Sequence, residues 1–317
     1  MFMIVFCHLV QESHNTYIQM TAQFLNVGVF IFFAISGFLY GDKVLDYNGK
    51  RYKSWCVNRW KKVLWPFYIF LLLLLLIYVI IQKPIDAKCW ITQFLNLQGL
   101  EIYVNGAEHC WFLTIMVICY LITPVLNQWK KRKMHLAFIV LFLLWIIAVI
   151  STYLISTQLG IYLIYIIVYI YGYMLGYKKL NITSNRKRIL FFLAIVFAVF
   201  LRLLTRSLWD ETPFYTVLCV GITQSIIAVN MLLFFLPFEF RENKVVNFLD
   251  NISYEIYLVH YMFIVGPLRI IGITGSFLMD SIIIILITLV SAFVLMKISG
   301  LIIYKPILSN SSQTGGN

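Results

Sequence analysis

Long uninterrupted apolar runs, broken by short polar and basic stretches, set the pattern of this chain. A helix that crosses a bilayer needs roughly 20 mostly apolar residues. A window of that length predicts helices near 22–41, 63–82, 109–128, 136–153, 159–177, 189–204, 214–236, 249–271 and 279–303. The runs are continuous rather than alternating in segments of about 10 residues, which excludes an outer-membrane barrel. The reading is therefore an all-α, polytopic transmembrane helix bundle in one domain over 1–317, with a Ser/Gly/Asn-rich tail at 309–317 expected to be disordered.

The polar intervals differ in charge, and the difference sets the orientation. Of 25 Lys and Arg, nineteen fall in 42–62, 129–135, 177–188, 237–248 and the tail. Only three fall in the alternate intervals, and the other three (Arg202, Arg269 and Lys297) lie within helices. By the positive-inside rule the first set is cytoplasmic, so the C-terminus is inside and the protein is a multi-pass protein of the cell membrane. The Asn181-Ile182-Thr183 sequon then falls on the inner side, where it is not glycosylated.

Residues 1–10 are apolar but reach only about 15 Å as a helix, half of a hydrocarbon core of about 30 Å. They read as the outer half of a span whose inner half is missing, through a start codon placed too far downstream or a truncated gene. With that half restored the bundle has about ten spans and both termini inside.

Composition agrees with the hydropathy. Charged residues make up 12% of the chain, hydrophobic ones 62%, and mean hydropathy is +0.87. An ordinary soluble domain is about 25% charged, so too little polar surface exists to coat a soluble enzyme. The net charge of +12 raises nucleic-acid binding, but the charges are topogenic clusters between apolar runs, and no nucleic-acid partner is expected. The six cysteines make no CxxC or zinc-ligand spacing, and no metal site is expected. Cys89 and Cys110 share one outer region, but spacing alone does not pair them.

Ionisable groups in membrane helices are costly and mark candidate function. His8 ends the apolar stub, His109 stands at the outer mouth of a helix, and His260 lies near the middle of one. For His8 and His109 the plain alternative is an interfacial histidine satisfied by water. Tyr257 and His260 are three apart and share a helix face, with Tyr254 a turn further in. Glu255 is expected to meet a loop cation. On the inner side, Arg59-Trp60-Lys61-Lys62 precedes Pro66, with Arg59 and Lys62 on one face. The plain reading is a basic anchor; the functional one is a clamp for a phosphorylated cytosolic donor.

Taken together and in order, these motifs resemble the acyltransferase family 3 membrane proteins. The helix Val27-Gly28-Val29 through Ser36-Gly37-Phe38 is similar to the family's "SGF" helix, and His8 stands where the family has the histidine ending its first span. Arg59 to Pro66 looks like its basic motif. His109, Trp111, Leu113, Tyr120 and Pro124 fit its HxWxL…Y…P helix. Gly172 to Gly176 resembles its G-x-x-x-G, and Ser253 to His260 its SYxIYLxH motif. The surface-polysaccharide O-acetyltransferase branch is the nearest in pattern.

The resemblance implies transfer of an acyl group, most often acetyl, from acetyl-CoA or another acyl-CoA to a hydroxyl of a surface glycan or its lipid-linked precursor. It implies His8 as catalytic base. Arg59, Lys61 and Lys62 hold the donor, and His109, Trp111, Tyr120, Tyr257 and His260 line the substrate cavity. Relatives acting on peptidoglycan or lipopolysaccharide O-antigen carry a glutamate five residues after the tryptophan, where this chain has Met116, so a mechanism using that carboxylate is not available here. An exporter of lipid-linked glycan shares the bulk hydropathy but has no need for a juxtamembrane cationic motif in register with an intramembrane histidine. An inactive relative serving as a scaffold is the other alternative.

Overall fold

The computed structural model describes residues 1–42, 49–100, 102–132, 134–178, 184–209, 212, 215–238, 241 and 243–304. The Asn181-Ile182-Thr183 sequon and the 309–317 tail lie outside them. Among the described residues all regular structure is helical. In chain order the α-helices are α1 (Phe2–Gln11), α2 (Thr16–Leu25), α3 (Val27–Asp42), α4 (Gly49–Ile80), α5 (Ala87–Phe94), α6 (Trp111–Arg132) and α7 (Met134–Leu154). They continue as α8 (Thr157–Tyr177), α9 (Asn185–Trp209), α10 (Gly221–Phe235), α11 (Lys244–Asn251), α12 (Ser253–Ile264) and α13 (Phe277–Tyr304).

Seven helical stretches among the described residues are long and apolar enough to cross a membrane: Thr16–Gly41, Tyr52–Ile80, Glu108–Gln128, Leu136–Leu154, Thr157–Tyr177, Asn185–Thr205 and Phe277–Leu301. Each overlaps an expected span. Three sequence expectations change. The interval 42–62 was expected to be an inner loop, but it is helical from Gly49, because Lys and Arg are good helix formers and let α4 continue through Pro66. The expected helix 214–236 is a π-helical stretch, Tyr215–Val220, followed by α10. The expected helix 249–271 divides at Ile252 into α11 and α12 and stops at Ile264.

Just past that stop the chain meets a distant part of its own sequence. Gly266 lies against Gly106, where a Cβ would come within 2.7 Å of the Gly106 Cα, and Pro267 follows. Gly106 itself has φ +94, a conformation natural to glycine. The last carbonyls of α12 do not go unpaired: Tyr261 O accepts from Gly266 N at 3.0 Å, Met262 O from Leu268 N at 3.1 Å, and Phe263 O from Ile270 N at 2.9 Å. An apolar environment requires that satisfaction of the backbone.

The chain forms two compact units. The first takes its residues from Met1–Ala22, Lys53–Thr114 and Glu242–Asn317, the second from Gln23–Tyr52 and Ile115–Arg241. In the second unit α3 packs against α8 with backbone touching backbone. A Cβ at Gly37 would overlap the Tyr169 carbonyl, one at Gly41 the Tyr173 carbonyl, and one at Gly172 the Ala34 carbonyl. Such small-residue faces are how membrane helices gain close van der Waals contact. Beside that seam the Phe33 ring stacks on Tyr165 at 5.2 Å, and the Tyr173 hydroxyl donates to Asn127 Oδ1 at 3.3 Å. In the first unit, buried Ile4, Val5, Cys7 and Leu9 dock α1, the Cys7 thiol donates to the Ala22 carbonyl at 3.3 Å, and Arg269 pairs with Glu12 at 2.9 Å. α12 packs on α13 and is tied to α4 by the Tyr254 hydroxyl, which donates to the Val63 carbonyl at 2.6 Å.

Candidate active site

Three histidines far apart in sequence meet within the first unit. The His260 ring centre lies 5.4 Å from that of His8 and 4.9 Å from that of His109. Tyr261 touches His8 and His109, at 4.9 Å from each. Tyr257 closes the group at 4.9 Å from His109.

Each ring is held by a local feature. α1 ends within a turn of His8, and its Nδ1 donates to Gln11 Oε1 at 3.1 Å. His109 sits in the 3-10 turn Glu108–Cys110 that opens α6. Glu108 organises that turn by accepting from the Gly106 N–H at 2.7 Å and the Asn105 side-chain amide at 3.2 Å. His109 Nε2 donates to the Tyr257 carbonyl at 2.7 Å, and the Tyr257 hydroxyl returns a bond to the His109 carbonyl at 2.5 Å. His260 is wholly buried in α12, and its Nδ1 donates to the Tyr257 carbonyl at 2.7 Å. The Tyr257 carbonyl therefore gathers two imidazole N–H groups.

These bonds decide the tautomers. A carbonyl oxygen only accepts, so His109 carries its hydrogen on Nε2 and His260 on Nδ1. In the neutral rings the remaining nitrogens, His109 Nδ1 and His260 Nε2, are lone pairs. Both are buried and have no hydrogen-bond partner among the described residues. Buried polar atoms are nearly always paired, and those that are not commonly mark sites that receive another group. His8 is half-buried, and with its hydrogen on Nδ1 toward Gln11 the neutral ring carries its lone pair on Nε2. Among the described residues no three His, Cys, Asp or Glu side chains are disposed to hold a metal ion.

Of the residues singled out from sequence, His8, His109, Tyr257 and His260 come together. Trp111 stands one helical step from the cluster, half-buried, its ring 6.5 Å from Phe112. Tyr120 belongs to the second unit, edge-on to Tyr40 at 5.8 Å. In α4, Arg59 is half-buried, while Lys61 and Lys62 are exposed, just before the carbonyl to which Tyr254 bonds. Glu255, expected to meet a loop cation, is buried without one among the described residues. Met116 is buried and apolar, in the second unit. None of the six cysteines is in a disulfide, Cys89 and Cys110 included. Tyr261 was missed from sequence, although its position four residues after Tyr257 placed it one turn along the same helix. Gln11 was missed as well; three residues after His8, it lies within reach on α1.

A family model described as an acyltransferase domain matches residues 1–297. No curated protein and no solved structure matches the chain. The match takes in nearly the whole sequence and all three histidines of the cluster, set in a bundle of apolar helices: the chain belongs to the acyltransferase family 3 and is a membrane acyltransferase.

Proposed function

We propose that this protein moves an acyl group, most often acetyl, from acyl-CoA to a hydroxyl of a cell-surface polysaccharide or of its lipid-linked precursor. The observation that carries the reading is the pair of buried, unpartnered imidazole nitrogens of His109 and His260 beside half-buried His8. Such a site is equipped to accept hydrogen from an entering hydroxyl. His8, the only one of the three with access to solvent, serves as the base. Its Nε2 takes the proton of the sugar hydroxyl while that oxygen bonds to the thioester carbonyl carbon. When the carbon–sulfur bond breaks, His8 returns the proton to the departing thiolate, and the site is reset. General-base assistance of this kind contributes about 10²–10⁴-fold. His109, Tyr257 and His260 line the acceptor side, with Trp111 at its edge.

Arg59, Lys61 and Lys62 take the donor's phosphates. Arg59 is suited to a bidentate contact, whereas the two exposed lysines act as point charges. The positive-inside reading of the charges, with this basic segment and the C-terminus cytoplasmic, supports that role, because acyl-CoA is available there. The test is transfer of label from acetyl-CoA to native surface glycan in membranes that contain the full chain. Alkali-labile label on the glycan is the expected result. Its absence with both acetyl-CoA and succinyl-CoA would overturn the reading.

A further inference from the structure

A cavity of the first unit is lined by Tyr78 at the end of α4 and by residues of the polar interval 83–108, read as outer from the charge pattern. It has a volume of about 350 Å³, within the range of small-ligand pockets. Aromatic walls come from Tyr78, Trp90 and Tyr103, with the Tyr78 and Trp90 rings edge-to-face at 5.4 Å. Lys83, Asp86 and Asn105 add an ammonium, a carboxylate and an amide. Trp90 is 95% buried (5% exposed). Asn105 Oδ1 is buried without a donor. The lining is held in place: the Tyr78 hydroxyl donates to the Asn105 carbonyl at 2.9 Å, and Asp86 caps α5 by accepting from Lys88 N at 2.8 Å.

We propose that this cavity is a saccharide subsite, taking a sugar ring of the acceptor glycan other than the one acylated. A pyranose has one face of C–H groups, which packs on aromatic rings, and a rim of hydroxyls that both donate and accept. Aromatic walls with the Lys83 ammonium as donor and the unpaired Asn105 Oδ1 as acceptor match both features. An acyl chain would leave those polar atoms unpaired at a cost. A phosphate would meet the Asp86 carboxylate. The subsite is also coupled to the chemistry, because Asn105 donates to Glu108, which forms the turn that presents His109.

This inference rests on the proposed glycan acceptor, and its test separates the two. Cys89 lines the cavity half-buried, its thiol donating to Asp86 Oδ2 at 3.4 Å. Burial and that bond to Asp86 push the thiol above its ordinary range, so labelling by N-ethylmaleimide is run at mildly alkaline pH. The probe is the set of de-O-acylated oligosaccharides released by mild acid from the host cell's own surface polysaccharide. These are titrated against labelling of Cys89 in the purified full chain, with Cys219 as internal control. Protection of Cys89 alone is expected, and Tyr103→Ala or Lys83→Ala should abolish it. In transfer assays both variants should raise the acceptor KM about tenfold, with kcat and donor KM within about twofold, as for loss of uniform binding. Unprotected Cys89 in a preparation that acylates glycan would overturn the subsite and leave the activity standing. Protection in a preparation that transfers no acyl group would uphold the subsite and overturn the activity.

Discussion

Replacing His8 by alanine should separate catalysis from folding, and the structure sets the size of each effect. The substitution removes one hydrogen bond at the half-buried end of α1, to Gln11, worth about 0.5–1.5 kcal/mol. It also removes ring contacts with His260 and Tyr261, each worth about 0.5–1.5 kcal/mol beyond buried area. What holds α1 remains: buried Ile4, Val5, Cys7 and Leu9, the Cys7–Ala22 bond and the Glu12–Arg269 pair. The variant should therefore insert and stay folded, with a thermal midpoint only modestly lower. Catalysis should fall far more. Loss of a general base lowers turnover about 10²–10⁴-fold, which at 1.36 kcal/mol per decade is about 3–5 kcal/mol of barrier. Initial rates of label transfer and thermal midpoints are measured on the same preparation, with His8→Gln as a second variant that keeps side-chain bulk and polarity. Turnover of either folded variant within about threefold of the parent would refute the assignment. Loss of fold and turnover in both would show that His8 anchors α1 rather than serving as the base.

The remaining expectations concern the donor clamp, the cluster and the helix seam. Arg59→Ala and Lys62→Ala should raise the KM for acetyl-CoA, increasingly so with salt because exposed charges are screened over about 10 Å at 0.1 M; an unchanged donor KM with altered topology would make the segment an anchor only. His260→Gln keeps an N–H donor for the Tyr257 carbonyl but loses the ring lone pair, so turnover should drop sharply at nearly unchanged thermal midpoint; midpoint and turnover falling together would mark His260 as structural. Gly37→Ala drives a methyl into the Tyr169 carbonyl and should destabilise the protein by about 1–3 kcal/mol, read from thermal unfolding in detergent; an unchanged midpoint would contradict the close α3–α8 seam.

Hydropathy and charge are local quantities, and what they report was legible in the sequence. A long apolar run has to be helical in a bilayer, because no other single segment satisfies its own backbone there. The seven long apolar stretches therefore coincide with expected ones, from Glu108–Gln128 to Phe277–Leu301. His8, His109 and His260 were legible as costly polar groups in apolar surroundings, and Tyr257 as a partner of His260 by helical spacing. Their meeting was not legible: about 100 residues separate His8 from His109 and about 150 separate His109 from His260. Ring contacts at 4.9 and 5.4 Å depend on how α1, the Glu108–Cys110 turn and α12 pack. The early end of α12 depended on a distant residue as well, since Gly266 stops against Gly106 and not because apolar character runs out. The roles of Gly37 and Gly172 likewise depend on α3 and α8 together, because a missing Cβ has meaning only against the backbone that fills its place. The tautomers, and with them the two buried imidazole nitrogens that have no partner among the described residues, came from tertiary structure alone, because an imidazole takes its hydrogen's position from the carbonyl that packing brings to it.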